Sequence, residues 1–271
     1  MKGTGSTQRI NPLLFFPGIG KRTIRLVNNL GAMAIFLSLA FINIFRRKQL
    51  REIVNQVYYI GATSSLIVML VGLFTGMVLG LQLFYTLVKF GSAGALGTAV
   101  SLSLIREMGP VLTAVMITAR AGSGIAAEVG ILRMSEQVDA LYTMGVDPIR
   151  YLISPRIAAS IISFPLLTAF FDLIGIIGGY ITGVLLLGTH EGTYFYRVQS
   201  SIDMVDVRGG FIKALVFAVI VSTICCFQGY FCHMRPGGYG SKAIGLATVS
   251  AVVLSCVMIL VADYVVTSFI M

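Results

Sequence analysis

Long uncharged stretches divide most of the chain into segments of membrane-spanning length. Residues 53–88 are 36 consecutive uncharged positions, whereas about 20 apolar residues are enough to cross a bilayer. Further spans are predicted at 96–125, 157–187, 210–232 and 244–268. The first stretch is too long for one straight crossing, so its helix is expected to tilt or to extend beyond the membrane. Five crossings place the two termini on opposite sides.

A shorter apolar segment at 24–45 is flanked by basic clusters on both sides. The clusters are Lys21, Arg22 and Arg25 before it and Arg46, Arg47 and Lys48 after it. A spanning helix would carry one cluster across the membrane, against the positive-inside rule. A helix in the plane of the interface leaves both clusters beside anionic head groups. We therefore predict a basic segment at 1–52 with an interfacial amphipathic helix, followed by a five-span domain at 53–271.

The distribution of lysine and arginine predicts the orientation of the chain. With the amino terminus in the cytoplasm, the inner segments 1–51, 128–156 and 233–244 hold 14 of these residues, and the outer loops 89–97 and 188–212 hold three. Cytoplasmic loops of membrane proteins carry such an excess. The carboxyl terminus is then expected on the outer side.

Composition excludes a soluble enzyme and a disordered chain. Hydrophobic residues make up 56% of the sequence and charged residues 11%, against about 25% charged in soluble domains. A soluble protein so poor in charge would expose large apolar patches, and disorder requires low hydrophobicity. The net charge of +9 is concentrated in the amino-terminal segment, where it fits an anionic membrane surface better than a nucleic acid.

The inner loop at 128–156 contains a predicted short amphipathic helix. Ser135 is expected to cap it, with Glu136 in its first turn. Gly145 is expected to end it before a turn at Asp147. Its apolar side chains fall on one face, and they are Val138, Leu141 and Tyr142. This face could lie on the bilayer or on the underside of the protein, or it could dock into a groove of a soluble partner, and the pattern alone leaves both interpretations open.

Charged side chains at membrane depth are costly and usually face a bundle interior or a water-filled cavity. They are Arg106, Glu107, Asp172, Lys213 and Asp263, with Arg120 nearer the cytoplasmic edge. Adjacent residues on a helix point about 100° apart, so Arg106 and Glu107 need different partners. Lys213 with Glu107 or Asp263 would form one pair. These groups are either interhelical ion pairs without a role in transport or the polar wall of a transport cavity.

Glycines at every fourth position mark one face of the first predicted span. They are Gly72, Gly76 and Gly80, and on a neighbouring face Leu79, Leu83 and Leu87 repeat at the same spacing. Small residues at this spacing let helix backbones approach closely. The stripe is expected to serve helix packing within the chain, a subunit interface or the wall of a cavity for an acyl chain.

Motifs for catalysis or metal binding are not evident in the sequence. The four cysteines have no zinc spacing and no disulfide partner in an outer loop, so no metal site is expected. The two histidines, His190 and His233, lie on opposite sides of the predicted membrane. Gly20-Lys21 lacks the first glycine of a phosphate-binding loop. Any ATP must therefore be hydrolysed by another subunit.

A series of ordered motifs extends through the central part of the chain. They are Gly76-Met-Val-Leu-Gly-Leu-Gln82, Leu104-Ile-Arg-Glu-Met-Gly-Pro-Val-Leu112, Ala119-Arg-Ala-Gly-Ser-Gly124, Ala127-Glu-Val-Gly130, Ser135-Glu-Gln137, Val146-Asp-Pro148, Ile153-Ser-Pro-Arg156 and Ser163-Phe-Pro-Leu-Leu167. Together they resemble the MlaE family of bacterial ABC transporter permeases. The resemblance covers about residues 50–271 and is densest between 104 and 167.

The resemblance implies an all-α polytopic membrane protein with an amino-terminal interfacial helix, five transmembrane helices and a cytoplasmic coupling helix after the second span. It implies a homodimer in the bacterial inner membrane that moves phospholipids between inner and outer membranes. The implied partners are a cytoplasmic ABC ATPase (MlaF-like), which holds ATP and magnesium, a periplasmic MCE-domain ring (MlaD-like), and a STAS-domain protein (MlaB-like) on the ATPase. The chain itself is then neither an enzyme nor bound to a cofactor or a nucleic acid.

The resemblance also suggests roles for particular residues. We expect Leu79, Leu83, Leu87, Arg106, Glu107 and Lys213 to line a lipid cavity between two copies. Contact with the ATPase is expected from Glu136, Val138, Leu141, Tyr142 and Asp147.

One alternative is an ion-coupled secondary transporter in which Glu107 or Asp263 carries a proton, although the related halves typical of such folds are not evident. A lipid-modifying membrane enzyme would need a nucleophile with its base or a metal cluster at one depth.

Overall fold

The structure is a computed structural model, and it describes residues 28, 31–42, 50–234 and 240–270. The described part of the chain is helical and contains no β-strand. Its helices are α1 (Gly31–Ile42), α2 (Leu50–Lys89), α3 (Ala93–Met134), α4 (Gln137–Thr143), α5 (Ile149–Leu186), α6 (Glu191–Ser201), α7 (Met204–Tyr230) and α8 (Ser241–Ile270). A short turn of helix at Cys232–Met234 follows α7.

Five of the described helices are long and apolar enough to cross a membrane, namely α2, α3, α5, α7 and α8. This confirms the predicted all-α polytopic fold with five spans. The helix α2 has 40 residues and is therefore about 60 Å long, twice the thickness of the hydrocarbon core. The first span thus extends beyond the membrane, as its long uncharged stretch indicated.

The segment at 188–212 is more ordered than the outer loop predicted there. It contains α6, and α7 begins at Met204, six residues before the predicted span. The side chain of Tyr194 anchors α6, because it is buried and its hydroxyl donates a hydrogen bond of 2.9 Å to the carbonyl oxygen of Ile176 on α5. The sequence pattern missed α6 because only one of its aromatic side chains faces the protein interior.

Close backbone packing joins α2 to α5 along the glycine stripe. A Cβ atom on Gly72 would lie 2.9 Å from the carbonyl oxygen of Phe171, and one on Gly80 would lie 3.3 Å from the Cα atom of Gly179. At Gly76 a Cβ atom would overlap the carbonyl oxygen of Gly175. Of the alternatives left open by the sequence, the stripe therefore serves helix packing within the chain.

The described part of α1 lies against the ends of two spanning helices. Phe36 is buried among the rings of Phe227 and Tyr230 on α7. The hydroxyl of Ser154, at the start of α5, donates a hydrogen bond of 2.9 Å to the carbonyl oxygen of Ala40. The twelve described residues of α1 span about 18 Å. Residues 1–27 and both ends of the predicted helix at 24–45 lie outside the described residues.

The helix predicted in the inner loop is α4, but the predicted cap was wrong. The Ser135 hydroxyl donates a hydrogen bond of 2.8 Å to the carbonyl oxygen of Ile131, so it closes α3, which continues through Met134. Glu136 precedes α4 with a φ of 59°, and its side chain makes no capping hydrogen bond. Gly145, with a φ of 73°, ends α4 as predicted, because glycine adopts this left-handed conformation readily.

Substitution of Gly76 tests whether close packing of α2 on α5 holds the fold together. We expect Gly76→Ala to destabilise the protein by about 1–3 kcal/mol or more, because the helices must separate to accept the methyl group. The matched control is Gly245→Ala in α8, where a Cβ atom would meet no other group within 4 Å. There alanine should be neutral or stabilise the helix by up to about 1 kcal/mol. Equal unfolding temperatures of the two variants in detergent would contradict the packing argument.

Candidate functional site

The helix α3 changes its hydrogen-bonding pattern around Arg106 and Glu107. Leu104–Met108 forms one π-helical turn, and the N–H of Gly109 donates to the carbonyl oxygen of Leu104, five residues earlier. Pro110 follows directly, and proline has no N–H to donate to the carbonyl oxygen four residues before it. The carbonyl oxygen of Arg106 is therefore left to another donor. Such π-helical turns are frequent at functional sites.

Lys213 of α7 supplies that donor and joins three helices. Its ammonium group donates hydrogen bonds to the carbonyl oxygen of Arg106 at 2.9 Å and to Oε2 of Glu107 at 2.7 Å. The carboxylate of Asp263 on α8 lies 3.1 Å from the same nitrogen. Only 3% of the lysine side chain is exposed, so these acceptors replace its hydration. The predicted pairing of Lys213 with Glu107 or Asp263 is confirmed for both carboxylates.

Arg106 takes a different partner from its neighbour, as the 100° angle between adjacent helical residues required. Its Nε donates a hydrogen bond of 2.7 Å to Oδ1 of Asp206, in the first turn of α7. Sequence reasoning missed Asp206 because it lies in the segment predicted as an outer loop. An acidic side chain is favourable in the first turn of a helix, where the helix dipole is positive. Asp206 could therefore have indicated that α7 begins before residue 210.

A recess of about 200 Å³ opens beside these ion pairs. It is lined by Arg106, Glu107, Val205, Asp206, Gly209, Gly210, Lys213, Thr267 and Ile270. Sites for drug-sized ligands occupy about 300–1,000 Å³, so one chain offers a polar recess that is too small for a whole phospholipid. Glu107 is held on its other side as well, because the hydroxyl of Thr267 donates to its Oε1 at 3.3 Å.

The structure does not bring the three predicted cavity leucines to this recess. Leu79, Leu83 and Leu87 lie on α2, where they are half-buried against the chain's own core. The recess instead lies between α3, α7 and α8. Within one chain the predicted cavity residues therefore form two groups, one polar and one apolar. That the two groups line one lipid cavity between two copies of the chain stays a prediction.

Asp172 on α5 is a further charged residue within a span, and no described side chain forms an ion pair with it. Its Oδ1 is buried and has no hydrogen-bond partner among the described residues. The carboxyl group occupies the space beside Gly109, where a Cβ atom would overlap Oδ1. Glycine at position 109 therefore allows α5 to pack its carboxyl group against the π-helical turn of α3.

The predicted coupling residues differ in their exposure. Val138 is fully buried inside the chain, so its predicted contact with a partner was wrong; this side chain instead holds α4 on the rest of the protein. Leu141 is half-buried. Glu136, Tyr142 and Asp147 are exposed and remain available to a partner. Asp147 also accepts a hydrogen bond of 3.0 Å from the N–H of Ile149, at the start of α5.

A polar cluster that sequence reasoning missed ties α4 to the end of α7. Arg133 forms an ion pair of 2.6 Å with Asp139 of α4, and its guanidinium lies 5.5 Å from the centre of the Tyr230 ring. The hydroxyls of Tyr142 and Tyr230 are 3.2 Å apart. Nε of Arg133 also donates to Nδ1 of His233 at 3.3 Å. Burial and the charge of Arg133 lower the pKa of His233, which favours the neutral ring that accepts this bond.

Removal of the Lys213 charge tests whether the ion pairs hold α3, α7 and α8 together. Lys213→Met should destabilise the protein by about 3–5 kcal/mol, because Glu107 and Asp263 would be left without their cation. The triple variant with Glu107→Gln and Asp263→Asn should regain most of this loss, since no uncompensated charge remains. Chemical unfolding in detergent measures both. A single variant as stable as the natural protein would contradict the account.

Comparison with known proteins places this architecture in a family. The family model for the permease MlaE matches residues 53–269, which include nearly all of the five spans. A probable ABC transporter permease protein of Rickettsia bellii is 42% identical over 250 residues, which cover 92% of this chain and 95% of the relative. The intermembrane phospholipid transport system permease protein MlaE of Haemophilus influenzae is 40% identical over 256 residues, 94% of this chain and 96% of the relative.

A more distant relative extends the similarity beyond bacteria. The chloroplastic protein TRIGALACTOSYLDIACYLGLYCEROL 1 of Arabidopsis thaliana is 33% identical over 219 residues, 81% of this chain and 61% of the relative. The match to the family model covers the ion-pair cluster, α4 and all five spans together. The chain is a multi-pass membrane protein that belongs to the MlaE permease family.

Proposed function

We propose that the chain is the membrane subunit of an ABC transporter that moves phospholipids between the inner and outer membranes of a bacterium. The observation that carries the proposal is its 40% identity, over nearly the full length of both chains, to the Haemophilus relative whose name states intermembrane phospholipid transport. The polar recess within an apolar helical bundle supports it, because a phospholipid needs both kinds of surface. In this proposal a separate partner subunit hydrolyses the ATP.

The proposed assembly follows from the family. Two copies of the chain pair with cytoplasmic MlaF-like ATPases, which bind ATP and magnesium, and with a periplasmic MlaD-like MCE-domain ring. An MlaB-like STAS-domain protein binds the ATPase. The exposed side chains of Glu136, Tyr142 and Asp147 support docking of the ATPase at α4. A homodimer would also explain how a recess of about 200 Å³ could become part of a lipid-sized cavity.

The proposed orientation has the amino terminus in the cytoplasm and the carboxyl terminus in the periplasm. The excess of lysine and arginine in the inner segments supports it. So does the position of α1, which packs at the same end of the bundle as Ser154 and Tyr230. The exposed side chains of α1 include Ile35 and Ile42, which suit a helix that lies in the membrane interface.

The proposed mechanism passes motion from the ATPase to the ion-pair cluster through α7. A partner that moves α4 displaces Tyr142 and Asp139, and these contact Tyr230 and Arg133. Seventeen residues separate Tyr230 from Lys213 on α7, which is about 25 Å of continuous helix. Closure of the ATPases would thereby shift Lys213 relative to Glu107, and would alter the polar recess while lipid is bound.

The experiment combines co-purification with reconstituted lipid transfer. The tagged chain should bring down an ABC ATPase, an MCE-domain protein and phospholipid from native membranes. The reconstituted complex should then transfer phospholipid between vesicles in an ATP-dependent manner. Transfer that needs a proton gradient and no ATPase would replace the proposal by an ion-coupled transporter. Covalent turnover of lipid by the purified chain alone would replace it by a lipid-modifying enzyme.

Reversal of the Glu107 charge tests the recess within this proposal. Glu107→Lys should lower ATP-dependent lipid transfer about tenfold or more, because it places a second cation beside Lys213, while the chain still inserts into the membrane. The matched control is Glu191→Lys on α6, outside the recess, for which normal transfer is expected. Normal transfer by the Glu107 variant would remove this residue from the mechanism.

A further inference from the structure

Most of the cations that lie deep within the described spans are paired with a carboxylate, and Arg120 of α3 is not. Two cations of the described spans have already been seen beside carboxylates at the recess, and a third, the buried Arg156 of α5, lies 2.8 Å from Oε1 of Glu128. Arg120 of α3 forms no ion pair with any described carboxylate. A cation at membrane depth is costly unless an anion or water compensates it, so Arg120 requires a partner of another kind.

The contacts of Arg120 leave half of its guanidinium unused. One nitrogen, Nη1, makes all of its hydrogen bonds: to Oγ1 of Thr63 at 2.5 Å, to Oγ of Ser64 at 3.2 Å and to the carbonyl oxygen of Tyr59 at 3.5 Å. These acceptors are neutral and belong to α2. The side chain is exposed, and its Nε and Nη2 donate to no described residue. Two neighbouring N–H donors of a guanidinium match the spacing of two oxygens of a phosphate.

The backbone of both helices supports this arrangement. Arg120 lies in a π-helical turn at Thr118–Gly122, and Tyr59 lies in a second one at Tyr58–Ala62. Four residues after Arg120, Gly124 faces the hydroxyl of Tyr59, where any Cβ atom would overlap it. The glycine therefore lets the hydroxyl end of the Tyr59 side chain pack against α3. The result is a fixed guanidinium at the surface between α2 and α3, held from one side only.

With the end of α7 taken as the membrane surface, Arg120 lies near the boundary between hydrocarbon and head groups. A Cβ atom on Gly122 would lie 3.0 Å from Sγ of Cys225, so these residues share one level in the bundle. Cys225 is five residues before the end of α7 at Tyr230. Arg120 precedes Gly122 by two residues, about half a helical turn, and lies that much further from the end of α7. Arg120 thus lies about 10 Å from the end of α7. Head groups occupy about 5–8 Å on each side of a bilayer, a distance that a long arginine side chain bridges by extending toward the interface.

We propose that Arg120, held by Thr63 and Ser64, binds the phosphate of a phospholipid from the cytoplasmic leaflet. The lipid supplies the anion that Arg120 lacks in the described chain, and its acyl chains lie along the exposed apolar side chains of α2, such as Leu66 and Leu70. The binding of lipid does not depend on the proposed function. The further role of this site, as the station where cargo enters or leaves the transporter, rests on it.

Site-specific photo-crosslinking tests the proposal in intact membranes. The variant Ala119→p-benzoylphenylalanine places the probe beside Arg120 at an exposed position, and cells grown in ³²P-phosphate label their phospholipids. Irradiation should give a ³²P-labelled chain, and Arg120→Gln should reduce the label at least fivefold, whereas Arg120→Lys should keep part of it. The matched control is Leu260→p-benzoylphenylalanine on α8, where 61% of the residue is exposed and the label should be independent of Arg120.

Other outcomes separate the remaining sources of the anion. A label at position 119 that Arg120→Gln leaves unchanged would overturn the proposal. An unlabelled product of twice the chain's mass would overturn it in favour of a carboxylate from a second copy. Purified protein that retains its lipid can also be irradiated in the presence of a few millimolar inorganic phosphate. If phosphate added before irradiation prevents the labelling, the site binds free phosphate, and the lipid assignment is overturned. The crosslink reports lipid binding, in which no ATPase takes part. If the site is labelled but ATP-dependent transfer is absent, the proposed function is contradicted and this inference stands.

Discussion

The buried ammonium group of Lys213 is the contact on which the relative positions of α3, α7 and α8 depend. It meets Glu107 of α3 at 2.7 Å and Asp263 of α8 at 3.1 Å from its own position on α7, and so joins three spans at one point. A lysine without these groups would be expensive at membrane depth. The same is true of the carboxylates without the lysine. Each charge therefore requires the others, and the positions of three helices are fixed relative to one another.

Proline and glycine create the space in which this cluster forms. Pro110 leaves the carbonyl oxygen of Arg106 free to accept a hydrogen bond of 2.9 Å from Lys213. At Gly210, α7 approaches α3 so closely that an added Cβ atom would lie 2.7 Å from the carbonyl oxygen of Ile105. Elsewhere in the bundle, Gly76 and Gly175 bring α2 and α5 together in the same manner. In a membrane, where apolar burial does not drive helices together, such close approach supplies the packing energy.

Much of this architecture could be predicted from the sequence, because the bilayer imposes its thickness on the pattern of charge. The five spans follow from uncharged length alone, and the pairing of Lys213 with Glu107 and Asp263 follows from the cost of isolated charge. Features set by local backbone geometry could not be predicted as well. Ser135 was assigned to α4 although it closes α3, since a serine hydroxyl serves either helix end and the sequence does not give the boundary. Val138 was placed on a docking face although it is buried, because periodicity identifies an apolar face without identifying what covers it.

The candidate site, too, could be predicted from the sequence only in part. The residues Arg106, Glu107 and Lys213 were predicted together and are found together, whereas Leu79 was predicted with them and lies on α2, away from the recess. Membrane depth can be read from the sequence, but the direction in which a side chain points around the bundle depends on helix rotation. Asp206 was missed for the related reason that the start of α7 was placed six residues too late.

The charge state and contacts of Lys213 test the account most directly. Solid-state NMR of the protein in lipid bilayers, with ¹⁵N-labelled lysine and ¹³C-labelled carboxylates, measures both at neutral pH. The account predicts the ¹⁵N shift of a charged ammonium group for Lys213, with cross-peaks to the side-chain carboxyl carbons of Glu107 and Asp263. A neutral amine, or an ammonium group without either cross-peak, would contradict it.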